Sequence, residues 1–207
     1  MQYIGKIFIL SQIQNILASS STRRKILLKQ IGLVFSVEKS TIIEDYNLKI
    51  SPSQLAIFWA REKARSISVN NVHSIVIGAD TIVNYDNHVF GKPKNKNESM
   101  KMLRFLSGKT HQVITGVSIN YKKLDIEHIF HNKTQVTFRN YNEEEILEYI
   151  KVEKPFDKAG SYGIQDSFAR HVKCINGCYY NVVGFPLSSF FYHFKNLHKK
   201  IKKHNGC

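Results

Sequence analysis

Hydroxyl and cationic side chains follow an apolar segment near the start of the chain. Residues 17–24 have the sequence LASSSTRR, in which three serines and a threonine lead into Arg23 and Arg24. The free N–H groups and positive dipole at a helix N-terminus bind phosphate, and arginine forks add bidentate contacts. The same pattern is typical of an ordinary Ser/Thr helix cap followed by solvated arginines. On its own, this segment therefore leaves a cap and a phosphate site open.

A carboxylate occupies a second candidate position, in the segment VIGADT over residues 76–81. We expect a buried β-branched strand over residues 74–78, so that Asp80 lies at its end. Open α/β sheets place their ligands there. A carboxylate there could bind a divalent metal, or it could act as the general base that accepts a proton from water. An aspartate that only caps a turn would show the same pattern.

Three weaker signals could complete an anion site. Lys63 lies in the segment REKA on a predicted helix, and Lys92 lies in the tight turn GKP. Gln165 ends a glycine-punctuated loop, where an amide can hydrogen-bond the edge of a nucleobase. Taken singly, each is more typical of a charged helix face, a surface turn or a structural loop.

These positions must be held by alternating strands and helices. We predict strands over 13–18, 35–43, 74–78, 82–85, 111–121 and 129–138, a strand–turn–strand over 175–186, and helices over 22–31, 52–69, 97–106, 142–150 and 187–203. The helix at 52–69 begins with a Ser-Pro cap signal, and the helix at 142–150 has acids in its first turn. Because some predicted strands are adjacent, we expect an α/β fold with a mixed sheet.

Composition bounds the class of protein. The 207 residues are 43% hydrophobic and 22% charged, which is typical of a globular chain rather than a disordered or membrane protein. The net charge of +14 favours anionic partners. We expect residues 1–12 to be an N-terminal extension rather than a signal peptide, and residues 196–207 to be a basic tail. Three cysteines without framework spacing indicate a reducing, cytoplasmic location.

The motifs in their order resemble the Maf (septum-formation) family of nucleotide pyrophosphatases. The resemblance spans about residues 15–195, and we delimit the Maf-like domain as residues 13–195. The matching segments are LASSSTRR at 17–24, AREKA at 60–64, IGADT at 77–81, GKP at 91–93, LSG to TGV over 106–117, DKAGSYGIQ at 157–165 and the stretch from Gly177 to Pro186.

The resemblance implies a fold and an activity. The implied fold is an elongated mixed β-sheet with flanking helices and two lobes around a cleft, similar to inosine triphosphate pyrophosphatases. The implied reaction converts a nucleoside triphosphate to the monophosphate and pyrophosphate with Mg²⁺ or Mn²⁺. Asp80 matches the family's proton acceptor, and Glu44, with Asp45 as a one-residue alternative, matches the acid linked with Asp80 to the metal. The phosphate-contacting positions correspond to Ser19, Arg24, Lys63 and Lys92.

Substrate choice in the family is associated with three positions, which are Arg23, Thr81 and Gln165 here. This combination resembles the subgroup that prefers dTTP and UTP. Two alternatives remain. One is a pyrophosphatase with another base preference, and the other is a nucleic-acid-binding or cell-division regulator with weak catalysis. We expect a nucleoside triphosphate as the partner, keep a homodimer open, and expect neither membrane nor nucleic acid binding. Asp166 departs from the family pattern, which commonly has glycine after Gln165.

Overall fold

A mixed β-sheet organises the computed structural model, which describes residues 13–204. Its elements are β1 (Asn15–Leu17), α1 (Thr22–Gln30), β2 (Ser36–Val37), α2 (Pro52–Ser68), β3 (Ile75–Tyr85), β4 (His88–Phe90), α3 (Lys96–Leu106), β5 (Thr110–Tyr121), β6 (Ile126–Phe138), α4 (Glu143–Glu153), β7 (Val172–Asn176), α5 (Tyr179–Val183) and α6 (Leu187–His204). Seven strands within the described residues form one sheet in the order β2-β1-β3-β5-β6-β7, with β4 paired to β3. β1 pairs in parallel with β2 and β3, and the remaining pairs are antiparallel. The predicted α/β fold with a mixed sheet and flanking helices is thus confirmed.

Two apolar clusters lie along the long central strands. The larger contains Ile75, Ile77 and Ala79 from the first part of β3, together with the buried face of α6. The second contains Val83 from the last part of β3, together with side chains of α3 and α4. Asp80 and Thr81 fall between them, so β3 passes from one lobe to the other at the residues predicted to do chemistry.

Helix α2 is held directly against this sheet by two glycines. A Cβ on Gly78 would lie 2.2 Å from the carbonyl oxygen of Ala60, and one on Gly116 would lie 2.3 Å from that of Ala56. The helix backbone can therefore approach β3 and β5 closely only because these residues lack side chains. Ser51 and Gln54 form a capping box that fixes where the helix begins. This close packing aims the α2 side chain Lys63 at β3.

Three predictions about strands were wrong. The strand predicted over 35–43 is limited to Ser36–Val37, because its partner β1 ends at Leu17 and offers no further ladder. Residues 75–85 form one uninterrupted strand, so Asp80 lies within β3 rather than at a strand end. The stretch over 175–186 is the end of β7 followed by helix α5, which Gly184 ends with a φ of 124°.

The two predicted terminal segments lie wholly or partly outside the described residues. The predicted N-terminal extension, residues 1–12, lies outside the described residues, as do residues 205–207 of the predicted basic tail. The described part of that tail, residues 196–204, is helical and continues α6 without a break after residue 195. Over residues 13–204, every helix is too short or too polar to span a lipid bilayer.

Candidate active site

A cleft of about 600 Å³ opens between the two lobes. Its walls come from the start of α1, the middle of β3, the loop after β2, the loop over residues 157–166 and the end of α5. Every predicted site residue lines it, namely Ser19, Arg23, Arg24, Glu44, Lys63, Asp80, Thr81, Lys92 and Gln165. The fold therefore brings together segments that are far apart in sequence.

Arg24 is a buried cation whose partners are neutral. It is 9% exposed, and its Nε donates to the carbonyl of Gly184 at 3.0 Å. Nη1 donates to Ser19 Oγ at 3.1 Å, and Nη2 donates to Thr81 Oγ1 at 3.0 Å. Burial lowers the pKa of Arg24, and Asp80 opposes this shift. Within residues 13–204 it forms no ion pair, since the nearby carboxylates bond Lys63 instead.

Such an arrangement predicts an anionic ligand. A buried charge is costly unless an opposite charge compensates it. A guanidinium has five N–H donors, and three of those in Arg24 donate to acceptors among residues 13–204. The side chain is thus fixed in place while part of its hydrogen-bonding capacity is left for a ligand.

Two carboxylates share the ammonium group of Lys63. Its Nζ donates to Asp80 Oδ1 at 2.7 Å and forms an ion pair with Glu44. Asp80 is 3% exposed, and its second oxygen, Oδ2, is buried without a hydrogen-bond partner among the described residues. A buried acceptor without a partner indicates a position for a water molecule or a cation. Asp80 is therefore equipped to bind more than Lys63.

The loop after β2 presents Glu44 to this cluster. Burial alone would raise the pKa of Glu44, but Lys63 and the hydroxyl of Tyr46 together hold it below its usual value. Tyr46 donates to Glu44 Oε2 at 2.8 Å. Asp45, the alternative acid, instead accepts from the backbone N–H of Asn47 at 2.9 Å and does not line the cleft. The geometry therefore favours Glu44 over Asp45 as the acid of the site.

Lys92 adds a further cation to the cleft. Desolvation by the cleft walls lowers the pKa of its ammonium, Glu44 opposes this, and repulsion from Lys63 and Arg24 adds to the lowering. The tight turn before it is fixed by packing, since a Cβ on Gly91 would lie 2.6 Å from the ring of Tyr46. Lys92 is thus delivered to the site by the same tyrosine that holds Glu44.

The three residues associated with substrate choice have different surroundings. Arg23 Nη1 forms an ion pair with Asp157 Oδ2 at 2.6 Å, which links α1 to the loop over 157–166. The hydroxyl of Thr81 accepts from Arg24 and lies 3.0 Å from Thr115 Oγ1. Gln165 is exposed in the cleft. Thr81 therefore holds the side chain of Arg24, whereas Gln165 is exposed to the cleft.

Several contributors were missed by the sequence reasoning. Three of them hold predicted site residues through side-chain hydrogen bonds, namely Tyr46, Thr115 and Asp157. Tyr149 instead bonds Gly163 and Asp166, which flank Gln165 in the loop. Tyr46 and Tyr149 resemble ordinary core aromatics in the sequence, and nothing local distinguishes them. For Asp157 a signal existed, since it begins the matching segment DKAGSYGIQ.

The donor set can be tested for a divalent cation. Mg²⁺ commonly binds through one or two carboxylates together with substrate phosphates and water. Glu44 and Asp80 offer two carboxylates, and the unpartnered Oδ2 of Asp80 is a free oxygen ligand. Among residues 13–204, no group of three or more His, Cys, Asp or Glu side chains is arranged to enclose a metal alone. The residues thus fit a cation that is shared with a phosphate ligand.

Comparison with known proteins places this cleft in a family. The family described as Maf-like protein matches residues 14–197. A dTTP/UTP pyrophosphatase of Bacillus anthracis (strain CDC 684 / NRRL 3495) is 47% identical over 173 residues, covering 84% of this chain and 90% of that protein. Another dTTP/UTP pyrophosphatase, from Bacillus cereus (strain ATCC 14579), is 46% identical with the same coverage. A solved HAM1 protein from Coxiella burnetii has a TM-score of 0.41 and 16% identity, covering 61% of this chain and 73% of that one. On the extent of the family match and of the identity to these relatives, the chain belongs to the Maf-like protein family.

Proposed function

We propose that this protein is a nucleoside triphosphate pyrophosphatase that acts on dTTP and UTP. The observation that carries the proposal is Arg24, a buried guanidinium beside the Lys63, Asp80 and Glu44 cluster whose three acceptors among residues 13–204 are all neutral. This arrangement suits a polyanion next to a carboxylate base. The names of relatives that share 46–47% of their residues over most of the chain support the same activity.

The cations bind and orient the triphosphate. Arg24 and Lys92 neutralise phosphate oxygens, and Ser19 keeps the Arg24 fork in its orientation. Fixed donors at developing charge need no rearrangement during the reaction, which lowers its barrier. The enclosed cleft restricts how the triphosphate can lie and brings the α-phosphorus close to Asp80.

Asp80 acts as the proton acceptor. Its Oδ2 has no partner among the described residues and can accept a hydrogen bond from a water molecule. That water attacks the α-phosphorus, the bond from the α-phosphorus to the bridging oxygen breaks, and pyrophosphate leaves. Lys63 keeps the carboxylate of Asp80 in place through the bond to Oδ1. The products are the nucleoside monophosphate and pyrophosphate.

A divalent cation, Mg²⁺ or Mn²⁺, is part of the proposal. Glu44 and Asp80 would hold it, and it would supply positive charge to the triphosphate oxygens. Removal of divalent ions with a chelator should then abolish turnover, and addition of either ion should restore it.

Base preference is assigned to the other end of the cleft. The side-chain amide of Gln165 offers N–H donors and a carbonyl acceptor, and the N3–H and C4 carbonyl of thymine and uracil are complementary to one such donor and the acceptor. Arg23 borders the same end through Asp157. Bases with the opposite edge are rejected to the extent that the Gln165 amide is held in one orientation, because a mismatched partner then leaves polar groups unpaired.

Pyrophosphate release from a panel of nucleoside triphosphates tests the proposal. Purified protein with Mg²⁺ or Mn²⁺ should release pyrophosphate fastest from dTTP and UTP. If release is fastest from a nucleotide with another base, the proposed base preference is overturned but the proposed reaction stands. No release from any nucleotide would overturn the proposed function itself. If the same protein then bound RNA or DNA tightly and in a salt-dependent way, the alternative of a nucleic-acid-binding regulator would be favoured.

A further inference from the structure

The backbone that carries Gln165 is held from both sides. On one side, Ile164 is 7% exposed and packs in the larger apolar cluster. The N–H of Gly163 donates to the hydroxyl oxygen of Tyr149 at 3.1 Å, and Tyr149 in turn donates to Asp166 Oδ2 at 3.1 Å. The exposed amide of Gln165 therefore projects from a short segment whose neighbours are immobilised.

Asp166 is anchored by more than Tyr149. Its Oδ1 accepts from the backbone N–H of Phe168 at 3.1 Å, which caps a short 3-10 turn. A Cβ on Gly163 would lie 2.1 Å from Asp166 Oδ2, so the carboxylate packs directly on the α-carbon of that glycine. Where the family pattern commonly has a glycine, this chain thus has a carboxylate that fills the space beside Gly163.

The same carboxylate is linked to the other side of the cleft. Lys158 Nζ lies 3.8 Å from Asp166 Oδ2 and 3.0 Å from Asp157 Oδ1, and Asp157 forms the ion pair with Arg23. A series of alternating charges therefore joins Asp166 to Arg23. One end of this series is Arg23, which is associated with substrate choice, and the other end adjoins Gln165, which is another such residue.

We propose that Asp166 is a positioning residue for base selectivity, acting on Gln165 through the hydroxyl of Tyr149 and the backbone of Gly163. This inference rests on the proposed function. Asp166 orients the Tyr149 hydroxyl, which leaves the hydroxyl oxygen free to accept from Gly163. Without the carboxylate, the Gln165 amide samples more orientations and discriminates less between base edges. The triphosphate end of the cleft, at Arg24 and Asp80, is unaffected.

The proposal is tested by comparing hydrolysis of four nucleotides with inhibition by inorganic tripolyphosphate, which has no base. The variants Asp166→Gly, Tyr149→Phe and the double variant are compared for kcat and KM on dTTP, UTP, dCTP and dGTP. The inhibition constant of inorganic tripolyphosphate against dTTP hydrolysis reports on the phosphate end alone. Ser167→Ala is the matched control, because it removes the bond from Ser167 Oγ to Glu153 in the same turn but leaves the bonds of Tyr149. Fluorescence of the single tryptophan verifies that each variant is folded.

We expect Asp166→Gly to reduce the preference for dTTP over dCTP by about tenfold, as for the loss of a hydrogen bond to a charged group. Tyr149→Phe should give the same change, and the double variant no more than either single one, because all three break one connection. Asp166→Asn, which keeps an acceptor for Tyr149, should lie between the wild type and Asp166→Gly. Tripolyphosphate inhibition should stay within about twofold in every variant, since the phosphate contacts are distant.

Two outcomes overturn the proposal. An unchanged base preference in Asp166→Gly would show that Gln165 is positioned without it. Equal losses for every base and for tripolyphosphate, or the same change in Ser167→Ala, would show a general loosening of the loop. Both outcomes require an active wild-type enzyme, so they are distinct from failure of the proposed function, in which the wild type itself releases no pyrophosphate.

Discussion

Acidification should destabilise this protein through His111, a residue buried beneath the cleft. His111 is 1% exposed, and its Nε2 lies 2.8 Å from the hydroxyl oxygen of Tyr162, which lines the cleft. Its Nδ1 is buried without a partner among the described residues. Burial lowers the pKa of His111 to about 3, from an ordinary value of 6.5 in an unfolded chain. The folded protein therefore holds a neutral imidazole at neutral and mildly acidic pH.

The sign and size of the effect follow from linkage. Below pH 6.5 the unfolded chain binds a proton at His111 that the folded protein does not, so the free energy of unfolding falls as the pH falls. This stability is complete above 6.5 and is lost progressively towards the folded pKa of about 3. Each pH unit in that window is worth about 1.4 kcal/mol, so a shift from pH 7 to pH 5 should remove about 2 kcal/mol.

Urea unfolding of the wild type and of His111→Gln measures this contribution. The single tryptophan, Trp59, is 7% exposed and reports the transition by its fluorescence. Between pH 7 and pH 5 the wild type should lose about 2 kcal/mol more than His111→Gln, which cannot titrate at this position. His73→Gln, a change at an exposed histidine, is the control and should keep the full pH dependence of the wild type. If wild type and His111→Gln lose the same free energy, His111 is not held neutral by burial and the reasoning is refuted.

Three further predictions concern the site and its support. Asp80→Asn should fold like the wild type but turn over at least about 100-fold more slowly, as measured by pyrophosphate release, because the proton acceptor is lost; near-normal turnover would exclude this role. Arg24→Lys keeps the charge but loses the fork, so kcat/KM should fall by about tenfold or more, whereas an unchanged value would show that the fork does not bind the substrate. Gly78→Ala places a Cβ against the backbone of Ala60, so its Tm should fall by several degrees, equivalent to about 1–3 kcal/mol; an unchanged Tm would mean that α2 can move away freely.

The sequence predicted the members of the cleft better than their arrangement. Ordered motifs identified Arg24, Lys63, Asp80 and Lys92, and the fold brings all four to one cleft. For the segment of hydroxyls near residue 20, the sequence alone slightly favoured a helix cap over a phosphate site and left both open. The structure contains features of both, since Ser21 caps α1 through the N–H of Arg24 while Ser19 holds the Arg24 side chain.

Long-range partners limited the rest of the prediction. The hydroxyl of Tyr149 and the carboxylate of Asp166 are 17 residues apart, and Arg23 and Asp157 are 134 residues apart. No periodicity or propensity encodes such pairs. The strand predicted over 35–43 failed for a related reason, because the length of a strand depends on the partner beside it, and here β1 turns away into α1 after Leu17.

The cations of the cleft differ in whether the protein supplies their counter-charge. Lys63 has its counter-charge in the free protein, because its ammonium group contacts the carboxyl groups of both Glu44 and Asp80. Arg24 and Lys92 form no ion pair within residues 13–204, so they carry the positive surplus. A triphosphate supplies the missing negative charge, and part of the cost of burying Arg24 is then recovered on binding. The proposed mechanism thereby divides affinity and catalysis between two sets of groups, with Arg24 and Lys92 binding the phosphates and the carboxylate paired with Lys63 accepting the proton of the water.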